Sequence, residues 1–267
     1  MKKIKIQCPA KINYTLKITG KRPDGFHEIE SIMQTISLFD YLTISIEKSP
    51  EFLINLSGDN SEIPYNEKNL VYKAAQLFFE NFENKNYKID IFIEKHIPVA
   101  AGLAGGSTDA AGTLYGLNKL LGEPYNEVLL NELCAKLGSD LNVCLWGGKL
   151  LATGRGEKTQ KLPYEQKSIS LIKPLNLGIS AKEAYTKFAQ KINTDYAAKR
   201  VDFVNDLEWA IIDDYSELKF IKQSYPNSIM SGSGSTYYLI NEDFSETENY
   251  WVKNDIKTTE YGVSEVF

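Results

Sequence analysis

The chain opens on alternation. In "KIKIQ" and "TLKIT" apolar and polar residues change places at each step, which predicts strands with one buried face. "IESIMQTISLFDYLTISIE" is a long β-branched run that predicts two strands or one bent strand. The period then changes: in "NLVYKAAQLFFENF" Leu70, Val71, Ala74, Leu77 and Phe78 share one helical face. "YKIDIFIEK" alternates again. "STDAAGTLYGLNKLLG" and "NEVLLNELCAKLG" read as two more helices, the first opened by hydroxyl and carboxyl groups suited to capping. After about Leu162 come a strand "SISLIKP" and helices around "SAKEAYTKFAQ", "NDLEWAIIDDY" and "SELKFIKQSY". A strand "STYYLI", a polar helix and a strand-like "TTEYGV" complete the pattern. This is an α+β order rather than regular βα alternation, and the change in punctuation near Pro163 predicts two domains, 1–162 and 163–267.

Composition narrows the classes. With 267 residues, 43% of them hydrophobic, the chain can bury a sizeable core. Its formal net charge of -5 argues against a nucleic-acid partner, because that binding relies on Lys and Arg neutralising phosphates. No 18-residue apolar run and no apolar leader appear, so neither a membrane nor export is expected. Three cysteines without CxxC spacing suit reduced thiols and a cytoplasmic location. His27 and His96 are the only histidines, which excludes a multi-histidine metal site.

The candidate chemistry begins at "PVAAGLAGGSTDAAGTL". Glycines let main-chain N–H groups approach a ligand closely, and the helix that follows adds unpaired N–H groups and a positive dipole end. Gly102, Gly105, Gly106, Ser107 and Thr108 could cradle a phosphate, or the loop could be a tight strand-to-helix turn. No lysine follows the glycines as in a P-loop, and the spacing is not that of a Rossmann fingerprint.

Two further stretches bear on that choice. "PAKINYTLKITGKRPDGFHEIESIMQTISLFD" precedes the loop and "IMSGSGSTYYLI" follows it. In this order the three resemble the motifs of the GHMP kinases, with "RPDGFHE" the most diagnostic block and "LGSDLNVCLWGG" and "NDLE" in support. The resemblance implies an N-terminal domain like the second domain of ribosomal protein S5, a ferredoxin-like C-terminal domain and an active site between them. It implies phosphoryl transfer from ATP with Mg²⁺. The acceptor would be the 2-hydroxyl, a tertiary alcohol, of a cytidine-diphosphate-linked methylerythritol in the non-mevalonate isoprenoid route. A monomer or weak homodimer is expected. Another kinase of the family, acting on homoserine, mevalonate or a sugar, fits the "RPDGFHE" and "NDLE" blocks less well.

Residue by residue, the resemblance makes Asp140 the carboxylate that takes or orients the acceptor's proton, with Lys11 beside it. The ATP loop would run through Pro98, Val99, Ala100, Ala101, Gly102, Leu103, Ala104, Gly105, Gly106, Ser107 and Thr108. His27 would read a cytosine edge, with Phe26 and Tyr185 stacking on the base. Asp109 would complement the helix dipole, or touch Mg²⁺ or Lys11. No protein metal ligands are assigned. Cys144 and Trp146 read as core. The chain departs from the family pattern at Asn142, where a proline-containing turn is common, at Ser233 in place of threonine and at Phe26 in place of tyrosine.

Overall fold

A computed structural model describes residues 1–266, for 195–197 the backbone alone. Phe267, the end of the expected second domain, lies outside the described residues. The alternation at the start becomes one strand, β1 (Lys2–Lys21), which pairs antiparallel with an equally long β2 (His27–Lys48). Register shifts at Pro9/Ala10, Asn13/Thr15 and Ile18/Gly20 bend the pair. The long apolar run is thus a single strand. Its C-terminal half pairs with β4 (Tyr87–Glu94), and its N-terminal half with β5 (Lys149–Gly154).

Besides a two-residue strand near the C-terminus, three strands of this first sheet were not expected from the pattern: β3 (Leu53–Gly58), β5 and β6 (Lys158–Lys161). They are short and carry polar residues, so their strand character comes from the neighbours they pair with. β3 runs parallel to β4, and α1 (Leu70–Glu80) joins the two. On α1 the buried stripe is Val71, Ala74, Ala75, Phe78 and Phe79, shifted slightly from the expected face.

Helices α2 (Gly105–Leu120), α3 (Glu127–Leu137) and α4 (Leu141–Trp146) cover the same face of the sheet as α1. α2 lies so close to β1 that a Cβ on Gly112 would stand 2.4 Å from Cys8 Sγ. Its start corrects the expected cap: the N-cap is Ala104 in the left-handed region, with no side-chain cap bond.

The second sheet is antiparallel, in the order β10-β7-β9-β8: Tyr250–Lys257, Ser168–Pro174, Tyr237–Ile240 and Ile229–Met230. Helices α5 (Ala181–Lys191), α6 (Asp206–Ile211) and α7 (Ser216–Ser224) accompany it. The expected polar helix after "STYYLI" is absent among the described residues; turns lead instead into β10. "TTEYGV" is not a strand, and β11 (Ser264–Glu265) returns to the first sheet beside β1. One apolar core joins Leu16, Ile18, Ile29 and Met33 of the long hairpin to Ile172, Phe188, Leu207 and Trp209. At roughly 1.5–3 kcal/mol per large buried side chain, this shared core fixes the walls of the cleft between the sheets.

Candidate active site

Lys11 sits in the middle of β1 with its side chain pointing inward, and it is 3% exposed. A buried ammonium needs partners, and this one has three: Asn13 Oδ1 at 2.8 Å, the Gly102 carbonyl at 3.1 Å and Asp140 Oδ2 at 3.4 Å. Asn13 is held in turn by donating to Ser31 Oγ at 2.8 Å. Asp140 ends the turn after α3 and is the N-cap residue of α4; its side chain stays 29% exposed to the cleft. Lys11 and Asp140, 129 positions apart in sequence, therefore meet.

The glycine loop is fixed from both sides. Lys11 N–H donates to the Leu103 carbonyl at 3.1 Å, and Ser231 Oγ and Lys11 Nζ both donate to the carbonyl of Gly102. Gly102 has φ +74, and a Cβ there would lie 2.1 Å from the Ser231 carbonyl oxygen, so only glycine fits. At the start of α2 the N–H groups of Gly105, Gly106 and Ser107 have no intrahelical acceptor and open towards the cleft. Thr108 corrects the expectation. Its N–H is taken by the Ala104 carbonyl at 2.9 Å and it is fully buried off the cleft wall, whereas Pro98 to Ser107 line it.

Asp109 does not reach Lys11. Lys95, a residue the sequence did not single out, donates to Asp109 Oδ2 at 2.9 Å and makes a short bond to Asp40 Oδ2. Asp40 Oδ1 also accepts the N–H groups of His96 and Ile97, at 2.6 and 2.8 Å, and so anchors the strand end that leads into the loop. Two buried carboxylates share one ammonium, and Asp40 has the better donors. Burial therefore pushes Asp109 up to about 8 despite Lys95, with Asp40 adding to the rise.

On the opposite wall His27 stacks on Tyr185, with ring centroids 5.0 Å apart and 18° between planes, and meets the edge of Phe188. Burial, helped by Lys21, lowers the His27 pKa and favours the neutral ring. Phe26 is 51% exposed and faces the Arg155 guanidinium at 4.9 Å. The structure thus brings His27 and Tyr185 together, while Phe26 stands apart from them on the same wall. Asn142, where the family pattern breaks, lies inside α4 and donates to the Glu157 carbonyl at 2.8 Å. Cys144 is fully buried, and Trp146 packs against the core with its N–H on Asn131.

Lys11, Asp140, the glycine loop, His27, Tyr185 and Phe26 line one cavity of about 910 Å³. Among the described residues its walls carry Lys11, Lys21, Lys68, Lys95, Lys182 and Arg155 against only Asp109 and Asp140. A positively charged cleft in an acidic chain suits ligands rich in phosphate.

A model of the GHMP kinases N terminal domain matches residues 69–148. The chain is 38% identical over 251 residues to the 4-diphosphocytidyl-2-C-methyl-D-erythritol kinase of Bacillus velezensis, covering 87% of this chain and 86% of that one. The chain belongs to this family of GHMP kinases. The crystal structure of a 4-(cytidine 5'-diphospho)-2C-methyl-D-erythritol kinase superposes on the kinase with a TM-score of 0.73 and 26% identity, covering 96% of this chain and 100% of that one. A homoserine kinase from Cytophaga hutchinsonii reaches 0.76 at 17% identity, covering 100% and 98%, which shows the shared fold alone. The kinase therefore has the α+β GHMP fold and uses ATP.

Proposed function

We propose that the kinase transfers the γ-phosphoryl group of ATP to the 2-hydroxyl of 4-diphosphocytidyl-2-C-methyl-D-erythritol, in the non-mevalonate route to isoprenoid precursors. One observation carries this reading: Lys11 and Asp140 meet between the glycine loop and the His27/Tyr185 wall, inside a single cationic cleft. The nucleotide's phosphates lie on the N–H groups of Gly105, Gly106 and Ser107. The pyrimidine lies against Phe26, His27 and Tyr185. The hydroxyl oxygen forms the new bond to γ-phosphorus as the bridging P–O bond to ADP breaks, and the hydroxyl proton goes to Asp140. Lys11 stabilises the oxygens of the transferring group from a position that its three partners fix in advance.

Among the described residues no three His, Cys, Asp or Glu side chains gather as a metal cage. The oxygen donors on the cleft wall suit Mg²⁺, which would need only one or two protein oxygens beside a phosphate-rich substrate. Ser107, on the cleft wall, would hold it through its hydroxyl, which leaves Asp140 free to take the proton. Mg²⁺ bound there would supply neutralising charge to the phosphates; Asp109, held by Lys95, serves the loop instead. In this reading 1–162 forms the nucleotide and catalytic domain and 163–267 the substrate domain, with β11 lent back to the first sheet. The three free, buried cysteines support action in the cytoplasm.

The test is ADP release from Mg-ATP with a panel of acceptors: the cytidine-linked alcohol, its uridine counterpart, homoserine, mevalonate and galactose. Turnover on the cytidine compound alone is expected. Turnover on homoserine or mevalonate in its place would contradict the assignment.

A further inference from the structure

The motif "NDLE" begins α6 and is fully buried, yet none of its side chains is needed for the chemistry above. Asn205 caps the helix, its Oδ1 accepting the Leu207 N–H at 2.9 Å. A cap requires no more than that. Its Nδ2 nevertheless donates twice outside the helix, to the carbonyls of Met230 and Gly232, each at 2.8 Å.

Those carbonyls belong to the Gly/Ser turn of the second sheet. Gly232 has φ +55, and a Cβ there would stand 2.9 Å from the Gly102 carbonyl oxygen and 3.1 Å from Lys11 Nζ. The turn therefore forms one side of the Lys11 ammonium pocket, and Asn205 holds the turn.

The next residue points the other way. Asp206 Oδ2 accepts the Ile18 N–H at 2.7 Å and Arg200 at 2.5 Å, and Oδ1 accepts Lys17 at 3.3 Å. Arg200 covers the face of Phe188 at 5.3 Å, and the edge of Phe188 meets His27. Ile18 pairs with Ile29 on β2, close to His27. Adjacent buried residues thus run to opposite parts of the cleft.

We propose that Asn205 and Asp206 are positioning residues that fix the two halves of the site separately: Asn205 sets the turn against Lys11, and Asp206 sets the wall behind His27. The proposal rests on the roles given above to Lys11 and His27. Asn205→Ser keeps a good cap but cannot reach two carbonyls. Because a small misplacement of a catalytic group can cost about a hundredfold, this variant should lose about ten- to a hundredfold in kcat. Both KM values should stay within about threefold. Asp206→Asn should do the reverse, raising the KM for the cytidine-linked acceptor by about tenfold with kcat nearly unchanged.

Steady-state kinetics and thermal unfolding of both variants test this. Full kcat in Asn205→Ser, the same kinetic change in both variants, or losses that merely follow the folded fraction would overturn it. Should Asn205→Ser fail to fold, Gly232→Ala decides: its methyl enters the Lys11 pocket, so kcat should fall, and an unchanged kcat sinks the proposal. The Lys11 ammonium signal in ¹⁵N-lysine NMR, assigned with Lys11→Met and recorded without substrate, separates this claim from the choice of acceptor. It should move in Asn205→Ser and stay put in Asp206→Asn. A wild type inactive on the cytidine compound would remove that acceptor alone, whereas a Lys11 signal that ignores Asn205→Ser would remove the positioning role.

Discussion

At Gly102 the wall of the cleft is main chain, with its carbonyl held by two donors and no room for a Cβ. At Phe26 it is a half-exposed ring facing a guanidinium across 4.9 Å. The proposed nucleotide side is built from backbone, held from beneath by the buried charges of Asp40 and Lys95 and from above by the Ser231 hydroxyl. The proposed acceptor side is built from side chains, in which His27 packs on Tyr185 and Phe188. Phosphates look alike in every nucleotide, so a rigid cradle of N–H groups serves them all. A base and a branched alcohol have to be told apart, and side chains can do that.

If this contrast is right, substitutions on the two sides should differ in kind. The largest loss should come from Gly102→Ala, where strain at positive φ adds to a collision with the Ser231 carbonyl. A displaced loop should cost about a hundredfold or more in kcat/KM for ATP. Wild-type nucleotide kinetics in Gly102→Ala would break the contrast outright.

The buried charge beneath the loop gives a pH signature. Folded Asp109 keeps its proton up to about 8, whereas the unfolded carboxyl releases it near 3.8. The folded state therefore binds more protons between these values, and wild-type stability should fall as pH rises through that window. Asp109→Asn cannot titrate. Its melting temperature relative to wild type should improve by several degrees from pH 5 to pH 8, at about 2–4 °C per kcal/mol. A gap that stays constant with pH would show that Asp109 is ionised throughout.

On the acceptor side the effects should be smaller and confined to the acceptor. His27→Ala should narrow the preference for the cytidine over the uridine compound by about 1–3 kcal/mol, the cost of leaving a buried polar group unpaired. An unchanged ratio would exclude His27 as the reader. Arg155→Gln should be milder still, raising the acceptor KM by about two- to fivefold, as expected of one half-buried cation over a ring. An effect of Arg155→Gln on ATP instead would blur the division between the two sides.

Much of this frame was legible in the sequence, because β1, β2, β4 and the helices α1 to α3 bury one face at a regular period. What escaped has physical reasons. β5 and β6 are short and mixed, and their strand character depends on β2. β10 reads as polar because it lies at a sheet edge and breaks its register between Lys253 and Ile256, with Asp255 at φ +62. The motifs singled out Lys11, Asp140, His27 and the glycines, which the structure brings to one cleft. Lys95 lies in none of them, and Asp40 and Asn205, though inside motif stretches, take roles set by partners that their own blocks do not contain. Thr108 was misplaced because a motif does not tell which residue of a helix's first turn faces outward.

The meeting of Lys11 and Asp140 at 3.4 Å is the centre of the account, and a double-mutant cycle on kcat tests it most directly. Asp140→Asn should lower kcat by about a hundredfold to ten-thousandfold, and Lys11→Met should also be severe, with substrate binding little changed in either. Residues that act as a unit lose most of their effect once, so the double variant should be scarcely slower than the worse single one. If the two losses multiply, or if Asp140→Asn keeps full activity, the pair is not the chemical centre of this cleft.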